Sequence, residues 1–141
     1  MSTTTNALLS PRDAQTQLHV LLDAVQAIVG GDWVNHDSPS PRGCRLTEES
    51  PLGVAFTGRR SLDAPPASTE TIGAVLALLS AEGMEAGTRT SASFTTIMGV
   101  HPDNKAFYVE LEMRARAMTL SGQSACVAGD LVAELDRVKL T

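Results

Sequence analysis

Two cysteines, three histidines and two sets of close carboxylates are the residues of this chain with chemistry to offer. Glu110 and Glu112 stand two apart in a run that alternates apolar with polar residues, which puts both on one strand face. Such a pair serves acid–base work when burial raises one of the two carboxyls. Tyr108 and Arg114 fall on the same face, however, and the four together read more simply as a solvated polar surface. Glu48-Glu49 is the other carboxylate set. His36-Asp37 precedes Cys44 within one irregular stretch, and a Cys–His nucleophile would need that thiol to be free. His36 and His101 sit in turn-rich segments as solvated loop residues, whereas His19 falls at the edge of a helical apolar stripe. Arg59-Arg60, with Arg42 and Arg45, could receive an acidic group through charge-assisted bonds, but adjacent strand residues point to opposite faces and make no single clamp. Gly53 and Gly58 lack the spacing and following helix of a phosphate loop. No nucleophile, base and orienting group converge, and no cofactor motif is present, so the chain is expected to be non-enzymatic with no cofactor and no metal.

Cys44 and Cys126 each lie beside turn-forming residues. A disulfide between them is one reading; two buried free thiols of a cytosolic protein are the other. Zinc is disfavoured because two isolated cysteines without paired spacing supply too few ligands. The 141 residues fit one domain, large enough to bury a core unaided. A net charge of −5 and the lack of any basic run give no electrostatic footprint for nucleic acid or anionic lipid. No window reaches the length of apolar chain needed to cross a bilayer. The opening Met1–Asn6 has neither a charged n-region nor an apolar h-region. It suits an unexported chain, or equally a polar tether left after an export signal or lipid-bearing cysteine is removed. Residues 1–9 are accordingly expected to be a flexible leader and residues 10–141 a single domain.

The elements that must position these residues follow from periodicity and punctuation. Ser10 caps a first helix, with Pro11 at its first position, apolar residues from Ala14 to Val29 at helical spacing, and Gly30-Gly31 at its end. Trp33 is expected to fold back on that end with its indole N–H seeking a carbonyl; a ligand-facing Trp33 is the sharper alternative. Asn35–Gly43 reads as an extended surface connection, Arg45-Leu46 as a short strand and Gly53–Arg60 as one half-buried strand. Ser68 or Thr69 caps a second helix closed by Gly83, in which Gly73 is expected to mark close approach to a sheet. Thr88–Val100 and Ala106–Met113 read as strands joined by the turn signal His101–Lys105. Met118–Gly122 reads as a further strand, and Asp130 caps a short last helix. This order predicts an α+β fold, a mostly antiparallel sheet with helices packed on one face.

Gly30–Trp33, Ser38–Cys44, Gly53–Gly58 and above all Met118–Cys126, with its Ser-Gly-Gln-Ser-Ala-Cys end, resemble a group of small secreted lipoproteins of actinobacteria. The likeness spans residues 10 to 135. It implies a lipid tether in the native form, one α+β domain, a Cys44–Cys126 disulfide and an extracytoplasmic place at the cell envelope, but no activity whose catalytic residues could be carried over. The leading expectation is a non-enzymatic cell-envelope binding domain for a protein or small envelope ligand, with Tyr108, Glu110 and Arg114, or Trp33, as contact residues. The alternative is a cytosolic interaction module of immunity or adaptor type, acidic enough to neutralise a basic partner. A small hydrolase using cryptic carboxylates stands third.

Overall fold

A computed structural model describes residues 9–46 and 52–139. The leader residues 1–8 and the Glu48-Glu49 pair lie outside the described residues. Among the described residues three helices accompany nine strands: α1 (Pro11–Val29), β1 (Val34–Asn35), β2 (Arg42–Cys44), β3 (Gly53–Ala55), β4 (Thr57–Leu62), α2 (Thr69–Ala81), β5 (Glu85–Thr90), β6 (Thr95–Val100), β7 (Tyr108–Met113), β8 (Met118–Gln123), β9 (Val127–Ala128) and α3 (Leu131–Lys139). The strands form a six-stranded sheet in the order β1-β4-β8-β7-β6-β5 and a three-stranded sheet in the order β2-β3-β9. Every pairing is antiparallel. The chain is thus an α+β domain with α1 and α2 side by side on one sheet face.

The helix ends are built as their sequences predict. The Ser10 hydroxyl accepts from the Asp13 N–H at 3.1 Å, and the Ser68 hydroxyl from the Thr71 N–H at the same distance. Asp130 accepts from the Val132 and Ala133 N–H groups at 2.9 and 3.3 Å. Helix α1 ends at Gly30, whose φ of 79° lies in the left-handed region. The Trp33 indole donates to the Gly30 carbonyl at 2.9 Å, and the ring packs against the core.

Helix α1 buries Ala14, Leu18, Leu21, Leu22 and Val25 against β4 and β8, and α2 buries Val75 and Leu79 against β5 and β6. Close approach of α1 depends on the cross-strand pair Gly58–Gly122. A Cβ on Gly58 would lie 2.6 Å from Leu22 Cδ1, and one on Gly122 3.0 Å from Leu18 Cδ1. Val109, Leu111 and Met113 of β7 and Met118 and Leu120 of β8 complete the core. Burying this much apolar side chain is the main favourable term, at about 25 cal/mol per Å² removed from water.

Four local expectations are corrected. The short strand after the Pro-rich connection is Arg42–Cys44, upstream of Arg45-Leu46, because Gly43 and Cys44 take up the ladder with Val54 and Gly53. Gly53–Arg60 is two strands, broken at the fully buried Phe56, where the chain passes from the small sheet to the large one. At this passage the Ser124 N–H donates to the Phe56 carbonyl and the Phe56 N–H donates to Ser124 Oγ, each at 2.8 Å, and three residues, Ser124–Cys126, span on one side what Ala55 and Phe56 span on the other. Thr88–Val100 is a hairpin, with Ser91–Phe94 as its turn, not one strand. Gly73 is exposed with nothing within 4 Å of a Cβ position, so it marks no sheet contact.

Candidate functional site

The alternation of β7 sorts its side chains cleanly: Val109, Leu111 and Met113 enter the core while Tyr108, Glu110 and Glu112 stand half-buried on the face opposite α1 and α2. Register carries that face across the sheet, placing Glu110 between Met98 and Ser121, and Glu112 between Thr96 and Thr119. A groove of about 470 Å³ lies on this face over β5, β6 and β7. Phe94, Met98 and Val100 give it apolar wall, and Thr96, Glu110 and Glu112 give it hydrogen-bonding edges. Arg114, in the turn after β7, donates through Nε to Glu112, and its guanidinium lies 4.6 Å from the centre of the Phe94 ring. Fixed by both contacts, it still leaves its side chain more than half exposed. Of the residues expected at a contact surface, Glu110 lines this groove, Tyr108 stands on the same face at the start of β7 paired with Val100, Arg114 lies beyond the other end of β7 against Phe94, and Trp33 is at the end of α1 with its N–H occupied by Gly30.

Cys44 and Cys126 are bonded, with Cα atoms 6.0 Å apart and 82 positions of sequence separation. The bond joins β2 to the residue that precedes β9, across the central strand β3. It passes so close to Gly53 that a Cβ there would lie 2.6 Å from Cys126 Sγ. Asn104 in the β6–β7 turn grips the same point, donating to the Cys126 carbonyl at 2.9 Å and accepting from its N–H at 3.1 Å. With the sulfur atoms bonded, Cys44 offers no thiolate to His36. His36 instead bonds Ser61 Oγ at 3.0 Å on β4.

A second polar cluster has no counterpart in the sequence-based expectations. Arg59 and Arg60 do point apart: Arg59 is exposed, whereas the Arg60 side chain is 3% exposed beneath α1. Its guanidinium donates to Asp37 Oδ2 at 2.9 Å, to Gln26 Oε1 at 3.0 Å and to Asp23. Burial acts to raise the pKa of Asp37, but bonds from the Arg60 side chain and the Arg59 N–H, with the Arg60 charge, outweigh it and hold the carboxyl below its ordinary value. Burial likewise acts to lower the pKa of Arg60, and its two carboxylate partners override that and raise it. His19 Nε2 lies 3.6 Å from Asp37 Oδ2. The cluster pins α1, the Pro-rich connection and β4 together. Its only sequence signal is an arginine at a core-facing strand position, which requires a buried acid somewhere.

Among the described residues no group of three or more His, Cys, Asp or Glu side chains is placed to hold a metal ion, and no helix is long and apolar enough to cross a membrane. The sequence matches no protein-family model and no curated protein. Its fold is similar to that of a DUF4853 family protein from Actinomyces odontolyticus, with a TM-score of 0.60 over 85% of this chain and 69% of that one. At 13% identity the likeness is one of fold, and it joins this α+β domain to a structure from the actinobacteria.

Proposed function

We propose that this chain is a non-enzymatic, extracytoplasmic binding domain of the cell envelope, and that it receives a protein or small envelope ligand on the sheet face opposite α1 and α2. The observation that carries the reading is the groove beside Tyr108, where Phe94, Met98 and Val100 stand among Thr96, Glu110 and Glu112. Concave apolar surface with a few placed polar groups is the usual form of a binding site. Met98 is 41% exposed within it, although the strand could equally carry a polar residue there. The disulfide favours the envelope over the cytosolic interaction module, since such bonds persist in oxidising compartments and are rare in the cytosol. Fold similarity to an actinobacterial protein agrees with the resemblance carried by the Ser38–Cys44 and Met118–Cys126 segments.

A photo-crosslinking residue at Met98, compared with one at Val20 on the exposed side of α1, tests the placement in the producing cells. The expected result is a discrete adduct from position 98 that weakens when Tyr108→Ala is added, with the thermal midpoint of that variant little changed. Equal labelling from both positions, or an adduct indifferent to Tyr108→Ala, would remove the binding face from this surface.

A further inference from the structure

The two edges of the six-stranded sheet are unlike. Strand β1 pairs over only two residues, which blunts that edge. At the other edge β5 runs for six residues, all exposed, in unbroken register with β6. Its sequence, Glu85-Ala-Gly-Thr-Arg-Thr90, contains no proline, no lysine and no bulge, and its two charged residues are of opposite sign. The Ser91 N–H donates to the Phe94 carbonyl across the hairpin at 2.9 Å. Antiparallel alternation then turns the N–H and C=O of Glu85, Gly87 and Arg89 towards β6 and those of Ala86 and Thr88 outwards.

From this edge we propose a homodimer: two copies pair antiparallel through β5 about a two-fold axis at Gly87, giving one sheet with six strands from each copy. The sequence of β5 is self-complementary in that register alone. Glu85 falls opposite Arg89 of the second copy, and Arg89 opposite its Glu85, on the same face as the groove. The outward groups of Ala86 and Thr88 meet those of Thr88 and Ala86 in hydrogen-bonded pairs. Parity therefore makes the Glu85–Arg89 pairs the non-hydrogen-bonded kind, whose side chains approach more closely, with Cβ atoms about 4.5–5.5 Å apart. Among the described residues neither Glu85 nor Arg89 has an ion-pair partner within its own chain, while the neighbouring Glu112 is already engaged by Arg114. Because the groove reaches β5 through Glu85, Gly87 and Arg89, the two grooves of such a dimer meet at the axis.

Sedimentation velocity over a concentration series on the disulfide-intact full chain tests the proposal with a charge-swap cycle. The wild type is expected to show a reversible monomer–dimer equilibrium. Glu85→Arg and Arg89→Glu should each raise the dimer dissociation constant by about tenfold or more, since each sets like charges opposite one another twice. The double variant should return to within about threefold of the wild type. Glu85→Arg lowers the net negative charge of the chain and Arg89→Glu raises it, so an overall charge effect would drive the two single variants in opposite directions. A monomeric wild type at all concentrations overturns the proposal, whether or not the edge binds an extended peptide. So does a dimer insensitive to both reversals, or one that the double variant fails to restore.

Discussion

Replacing Arg60 with Leu tests how the α1–β4 joint is held, because the guanidinium is the hub of three hydrogen-bonded partners. Two of these differ sharply in worth. Asp23 is 66% exposed, so its limb is solvent-screened and contributes little. The Asp37 side chain is 11% exposed and would be left as a buried carboxylate without its cation. Breaking such a pair costs about 3–5 kcal/mol when burial is complete. Asp37 keeps the Arg59 N–H at 2.8 Å and the Asn35 amide at 3.2 Å, which moves the expectation to about 2–4 kcal/mol. That is a large part of the about 5–15 kcal/mol by which a domain is usually stable. Urea unfolding at pH 7 reads it directly as a lower midpoint with unchanged slope. The pH dependence gives a second reading. A carboxyl held below its ordinary value of 3.8 stabilises the folded state above that pH, and the contribution is lost as pH falls through the depressed folded value. Without Arg60, burial pushes the Asp37 carboxyl upward and protonation relieves the strain, so wild type and variant converge in acid. Arg60→Leu combined with Asp37→Asn should be more stable at pH 7 than Arg60→Leu alone. A single variant within about 1 kcal/mol of the wild type, or a double variant weaker than the single, would refute the buried-pair account.

The disulfide end of the molecule yields two further predictions. In the chain-entropy treatment, closing a loop of this size stabilises the fold by about 4–5 kcal/mol, so Cys44→Ser with Cys126→Ser should lower the unfolding free energy by that order in equilibrium denaturation. Gly53→Ala brings a methyl within 2.6 Å of Cys126 Sγ, 3.0 Å of Leu46 Cγ and 3.1 Å of the Val127 carbonyl, and should cost about 1–3 kcal/mol by calorimetry. Combining Gly53→Ala with the double serine variant should cost less than the sum, since the clash with the sulfur is then eased.

Local signals in the sequence were legible where their physics is local. The caps of all three helices, the Trp33–Gly30 bond and the in-out order of β7 each depend on residues within a few positions of one another. Asp37 and Arg60 are 23 positions apart, one of them in a Pro-rich connection that looks wholly solvated, and only the fold reveals that they meet. The break at Phe56 was hidden because β3 is buried on both faces and so shows no alternation. β5 was partly missed for the opposite reason: exposed on both faces, Glu85–Thr90 carries no apolar period at all. Tyr108, Glu110 and Arg114 were placed on one face by period-two reasoning, but the pairing of Glu110 with Met98 and the contact of Arg114 with Phe94 depend on a neighbouring strand and its turn.

The central claim, an extracytoplasmic domain closed by a disulfide, is tested most directly by intact mass of the protein taken from its producing cells, with thiols alkylated at lysis before and after reduction. The account predicts no alkylation of Cys44 or Cys126 until reductant is added, in protein recovered from the envelope or medium fraction. Two alkylated cysteines without reduction, in protein confined to the cytosolic fraction, would contradict it and favour the cytosolic interaction module.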